Sequence, residues 1–159
     1  MGKEPNYLNK LAILIATGFG SGYSPFASGT AGSLVGLVIF WGISGLSPLP
    51  YFLLLVILFL IGWYCAGVAE KNFKEKDSSR IVVDEIHGML LTLWALPHHT
   101  TYIIAGFFLF RLFDVWKPFP ARYLERKVPG GLGVMLDDTA AALYANGILH
   151  GVRMLNILG

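Results

Sequence analysis

YFLLLVILFLIGWYCAGVA, residues 51–69, runs for nineteen positions without a charged side chain. As a helix, a stretch of that length spans a hydrocarbon core of about 30 Å. The rest of the composition agrees. The chain has 159 residues, of which 55% are hydrophobic and only 14% charged, against about 25% charged in an ordinary soluble domain. Mean hydropathy is +0.61. These values point to a membrane protein and, at this length, to a single domain over residues 1–159. A net charge of +2 gives no reason to expect a nucleic-acid partner, and no RNA- or DNA-binding motif is present. The single cysteine, Cys65, lies in the most apolar run, which excludes a disulfide framework and reads as a buried, inert thiol.

Four more apolar stretches flank this run. Thr30 to Leu46 can span if its polar start lies at the interface, and SPLP (47–50) turns it into the run at 51–69. Residues 81–97, IVVDEIHGMLLTLWALP, are apolar apart from Asp84, Glu85 and His87. Residues 102–118, YIIAGFFLFRLFDVWKP, are apolar apart from Arg111, Asp114 and Lys117, and Pro118 and Pro120 end that helix. The last stretch runs from Leu132 to about Leu158 and carries Asp137, Asp138, His150 and Arg153. The expectation is an all-α, polytopic membrane bundle of about five apolar spans. A short interfacial helix precedes them, because LAILIA after Lys3 and Lys10 breaks at once into TGFGSGYSP and is too short for a cleaved signal.

Lysine and arginine set the orientation. Lys71, Lys74, Lys76 and Arg80 follow the second stretch, and Lys117, Arg122, Arg126 and Lys127 follow the fourth. The turns SPLP and HHTT (98–101) have none, so the basic loops are expected on the cytoplasmic side. Only Arg153 breaks the alternation. Trp41, Trp94 and Trp116 lie near span ends, as interfacial belts require. Gly32 and Gly36, Ala141 and Ala145, and Gly147 and Gly151 are each four apart, a spacing that lets helices pack closely.

On this topology the polar residues converge. Thr30 and Ser33 open the first span, Asp84 and Glu85 open the third, and Arg111, Asp114 and Lys117 close the fourth. Asp137 and Asp138 lie one to two turns into the fifth. All reach the same membrane face. Arg111 and Asp114 share a helix side, whereas the adjacent Asp137 and Asp138 point about 100° apart. When all are ionised, Asp84, Glu85, Asp114, Asp137 and Asp138 outnumber Arg111 and Lys117 by three charges. A low-dielectric site holds that excess only with protons or bound cations. Carboxylate oxygens suit Mg2+, with Mn2+ as a substitute, and no Cys–His zinc pattern competes. GTAGS (29–33) and GGLG (130–133) stand at helix starts, where free N–H groups favour anions.

These residues, in this order, resemble the phosphatidylglycerophosphatase A family. The matching stretches are LIATGFGSGYSP, GTAGS, VDEIHGM, FRLFDVWKPFP and GGLGVMLDD, which together reach from Leu14 to Asp138. Ser28 departs from the family pattern, which more often has proline there. The resemblance implies a Mg2+-dependent lipid phosphatase of the bacterial inner membrane, multi-pass, with its active site facing the cytoplasm. It would convert phosphatidylglycerophosphate to phosphatidylglycerol and inorganic phosphate, with no obligate protein partner. Under it, Glu85, Asp137 and Asp138, with Asp84 beside them, would ligate the metal. Arg111 and Lys117 would hold the phosphate, and Thr30 and Ser33 would donate hydrogen bonds to it. Asp114 would orient Arg111, act as general base or ligate metal.

Plainer readings stand beside these. Arg111–Asp114 can be a structural ion pair, and Arg122, Arg126 and Lys127 positive-inside anchors with attraction for anionic headgroups. His87 reads as a packing residue, His98 and His99 as solvated, and His150 and Arg153 as interfacial. A cation-binding transporter is the main alternative function, but it predicts polar groups at mid-membrane and on both faces. A CDP-alcohol phosphatidyltransferase would need a DGxxAR…GxxxD spacing that is absent.

Overall fold

A computed structural model describes residues 7–155. Lys3 and the end of the last apolar stretch at Leu158 lie outside the described residues. Seven α-helices and one 3₁₀ turn, with no strand, make up the described chain: α1 Tyr7–Ala16, the turn Ser21–Tyr23, α2 Ser28–Ile43, α3 Pro48–Phe73, α4 Val83–Thr92, α5 Thr100–Trp116, α6 Ala121–Lys127 and α7 Gly131–Met154. The all-α expectation holds.

Local chemistry accounts for the boundaries. Ser47 precedes two prolines that occupy the first turn of α3, where their missing N–H groups cost nothing. Lys74 ends α3 in the left-handed conformation, with its N–H returned to the Glu70 carbonyl. Asp84 and Glu85 occupy the first turn of α4, where the helix dipole favours negative charge.

α4 is the centre of the bundle and packs against α2, α3, α5 and α7. Phe40, Met89, Leu90, Phe110 and Ala141 form the main core. A second cluster joins Ala12 and Ala16 of α1 to Cys65, Ala66 and Ala69 of α3. Gly32 and Gly36 face Val82, Ile86 and Met89, so the first small-residue pair does bring α2 onto α4. Ala141 and Ala145 are fully buried. Gly147 and Gly151 face open space instead.

The five expected spans do not become five membrane-length helices. Among the described residues, α3 alone is long and apolar enough to cross a membrane, and most of its apolar stretch faces outward. α4 has only ten residues, which rise about 15 Å. The chain nevertheless travels the length of the bundle here. Past Thr92, Leu93 and Leu96 stay buried, and residues 93–98 meet the 44–48 turn and Arg153 at the far end.

Ala95 turns left-handed ahead of Pro97, and tertiary contacts take up the carbonyls freed where α4 ends. Asn146 on α7 donates to the carbonyls of Thr92 and Trp94, both at 3.0 Å. His150 contacts the Trp94 carbonyl at 3.3 Å, and Arg153 donates to Ala95 at 3.0 Å. Tyr51 on α3 donates to Leu90 at 2.9 Å. Polar side chains of α7 thus satisfy a broken helix end that lipid could not. His150 and Arg153 bond the carbonyls of Trp94 and Ala95, just past the end of α4. Asn146→Leu is expected to strand the buried Thr92 carbonyl, leaving the Trp94 carbonyl to His150, and cost about 1–3 kcal/mol. The check is the melting midpoint in detergent, which should fall by several degrees; an unchanged midpoint would refute the capping role.

Candidate active site

At the opposite end of α4, four helices and two loops enclose a cavity of about 340 Å³. Asp84 and Glu85 enter from α4, Arg111 and Asp114 from the last turns of α5, and Lys117 from its C-cap. Asp137 and Asp138 enter from α7, and Ser28 and Gly29 from the start of α2. Seven residues singled out in the sequence therefore line one space.

The two aspartates of α7 divide their work as their 100° separation requires. Asp137 accepts from Lys117 Nζ at 2.7 Å and, through its other oxygen, from the Asp138 N–H at 2.9 Å. Asp138, 2% exposed, turns the other way. Its carboxylate meets those of Asp84 and Glu85, with one ligand atom from each lying within 4.8 Å of the others. Asp84 Oδ1, Glu85 Oε2 and Asp138 Oδ2 are buried without any hydrogen-bond partner. Three converging carboxylates with orphaned oxygens are costly unless a cation or protons share them. The donor set, all oxygen and compact, fits a Mg2+-sized ion.

A second acidic group, Asp77, Glu125 and Asp137, differs in kind. Lys117 Nζ already bridges Glu125 at 2.9 Å and Asp137 at 2.7 Å. Its cation is part of the protein. Asp137 is therefore placed as the partner of Lys117, apart from the trio of Asp84, Glu85 and Asp138.

Arg111 pairs closely with Asp114 and lies 3.9 Å from Glu85. Its guanidinium is fixed from one side and presents its remaining donors to the cavity. Gly29 makes this possible. A Cβ there would collide with Glu85 Oε1 and come within 2.9 Å of both Arg111 terminal nitrogens.

Thr30 and Ser33 are not brought to the cavity lining. The Ser33 hydroxyl donates to the Gly29 carbonyl at 2.9 Å, one turn back. GGLG also lies off the cavity. A Cβ on Gly131 would strike the backbone of Trp63 and Gly67, so the glycine serves close packing of α7 on α3.

Sequence reasoning missed Ser28, Asp77, Ser78, Ser79 and Glu125. The segment after α3, one of the basic loops, folds back. Glu70 Oε1 accepts the Asp77 N–H at 2.8 Å, and Ser78 donates to Glu75 at 2.6 Å. Arg80 stacks on the Phe73 ring at 4.0 Å. Desolvation holds the Asp77 carboxyl above its ordinary range, and Lys117 opposes that shift. Nothing local in the sequence marks Asp77 or Glu125. His87 is buried against Phe59 of α3, away from the lining, as a packing residue would be.

A cavity where six carboxylates face Arg111 and Lys117 can bind a divalent cation and a phosphate together. Comparison with known proteins points to phosphate chemistry. The chain is 42% identical to phosphatidylglycerophosphatase A of Escherichia coli over 86% of this chain and 80% of that protein. It is 40% identical to phosphatidylglycerophosphatase A of Haemophilus influenzae over 94% of this chain and 96% of that one. It is also 43% identical, over 90% and 92% of the two chains, to a Bacteroides thetaiotaomicron protein with the provisional name phosphatidylinositol-3-phosphatase. No solved structure matches the chain. The family model for phosphatidylglycerophosphatase A matches residues 14–153, and the chain belongs to that family.

Proposed function

We propose that this chain is a Mg2+-dependent lipid phosphatase that hydrolyses phosphatidylglycerophosphate to phosphatidylglycerol and inorganic phosphate. The observation that carries the reading is the trio of partnerless carboxylate oxygens on Asp84, Glu85 and Asp138, next to an arginine fixed by its own aspartate. Two relatives named phosphatidylglycerophosphatase A supply the substrate.

Asp84, Glu85 and Asp138 would hold Mg2+. When bound, the ion neutralises phosphoryl charge and polarises the phosphorus centre. The protein's own groups do the rest. Arg111, oriented by Asp114, takes phosphoryl oxygens with a planar fork. Lys117, anchored between Asp137 and Glu125, offers a positive charge to the oxygen of the breaking ester. The backbone at Ser28 and Gly29 closes the remaining wall.

The membrane reading has support beyond α3. Val38 and Trp41 on α2, Ile104, Phe108 and Leu112 on α5, and Leu143 on α7 are all exposed. A soluble monomer rarely exposes so many large apolar side chains. In this account α2, α3, α5 and α7 cross the bilayer. The third of the five traverses is α4 plus its buried extension, shielded by protein. α1 and α6 lie at the cytoplasmic surface of a bacterial inner membrane in this reading, and the basic loops support a cytoplasmic active site.

The test is phosphate release by detergent-purified protein with Mg2+ from phosphatidylglycerophosphate, phosphatidic acid and phosphatidylinositol 3-phosphate. Phosphatidylglycerophosphate should have the highest kcat/KM, by about tenfold or more. Preference for phosphatidylinositol 3-phosphate would overturn the substrate, and release from none would overturn the reaction.

A further inference from the structure

We infer that the groove beside the acidic cavity is a second anion subsite, one that takes the phosphodiester joining the substrate's headgroup to its diacylglycerol. This rests on the phosphatase reading above and extends it to substrate class. The groove is open, about 600 Å³, and is lined by four cations, Lys117, Arg122, Arg126 and Lys127, and by no carboxylate. The contrast with the neighbouring cavity is complete, yet Lys117 lines both. An anion in the groove would lie one residue away from the phosphate held by Arg111 and Lys117.

Lys117 is held by Glu125 and Asp137, and the other three cations are available. Arg126 and Lys127 make no ion pair among the described residues, and Arg122 spends one nitrogen on the Trp116 carbonyl at 3.0 Å. Their platform is fixed: Ala121 is fully buried, α6 packs on α7, and Tyr144 donates to the Phe119 carbonyl at 2.8 Å.

The surroundings select a lipid. Phe108, Leu112 and Val115 are 67%, 54% and 74% exposed. They follow one another at four and three residues along α5, so they form a single apolar strip. The strip ends at Trp116, beside Phe119 and Tyr123 in the groove wall. A soluble polyanion would use the cations and leave the strip bare. A diacylglycerol phosphodiester uses both, with its chains on α5, its diester at α6 and its terminal monoester in the acidic cavity. Phosphatidic acid, which has a monoester alone, cannot reach both.

The test needs no turnover. Short-chain phosphatidylglycerol carries the diester but no monoester, and its binding is measured by calorimetry in neutral-detergent micelles. Arg122→Gln/Arg126→Gln is compared with Lys71→Gln/Lys74→Gln, which removes equal charge from another exposed basic face. Wild type and the lysine variant should bind alike, and the arginine variant at least about tenfold more weakly. In assays with phosphatidylglycerophosphate the arginine variant should show the same loss mainly in KM. Equal weakening in both variants would mean general surface attraction and overturn the subsite. So would unchanged binding in the arginine variant, or no binding by wild type. Because the readout is binding, failure to hydrolyse phosphatidylglycerophosphate would not be mistaken for failure of the subsite.

Discussion

Asp138→Asn is expected to lower phosphate release by about 10³-fold or more while the protein stays folded. Asp138 is 2% exposed, and its Oδ2 has no partner in the protein. The residue therefore adds nothing to the fold through that oxygen. Its neighbours are two more carboxylates, Asp84 and Glu85. Removing a charge from such a cluster relieves repulsion, so without metal the variant should melt no lower than wild type. Mg2+ should raise the wild-type midpoint, because it binds the native state. It should leave the variant's midpoint nearly unmoved. Loss of activity together with loss of apo stability would instead mark Asp138 as structural.

Arg111→Lys should cost about 10²–10³-fold in kcat, although charge is conserved. A lysine cannot keep one face on Asp114 and turn a planar fork to phosphate. If Arg111–Asp114 were only an ion pair that stabilises α5, the variant would melt lower and turn over normally.

Much of the site was legible because helical geometry is local. Asp84 and Glu85 open a helix, Arg111 and Asp114 share one side of another, and adjacent aspartates on α7 must diverge. Alternating basic loops then put these residues at one end. The all-α class followed from apolar runs such as residues 51–69. The end of α4 was only partly legible. Pro97 signals a stop, but the helix ends five residues earlier, at Thr92, and Ala95 turns left-handed; Asn146, His150 and Arg153 take up the carbonyls freed there from some fifty residues away. Asp77 and Glu125 were missed for a similar reason. Both look like ordinary surface charges until the 74–80 loop and α6 fold against Lys117. Ser33 erred in the other direction. In a helix a serine hydroxyl readily bonds the carbonyl one turn back, and here it does so with Gly29.

The most direct measurement is phosphate release from phosphatidylglycerophosphate by purified wild type with Mg2+, with EDTA, and by Asp138→Asn with Mg2+. The account predicts release in the first case and at least about 10³-fold less in the other two. Undiminished release in EDTA, or by a folded Asp138→Asn variant, would contradict it.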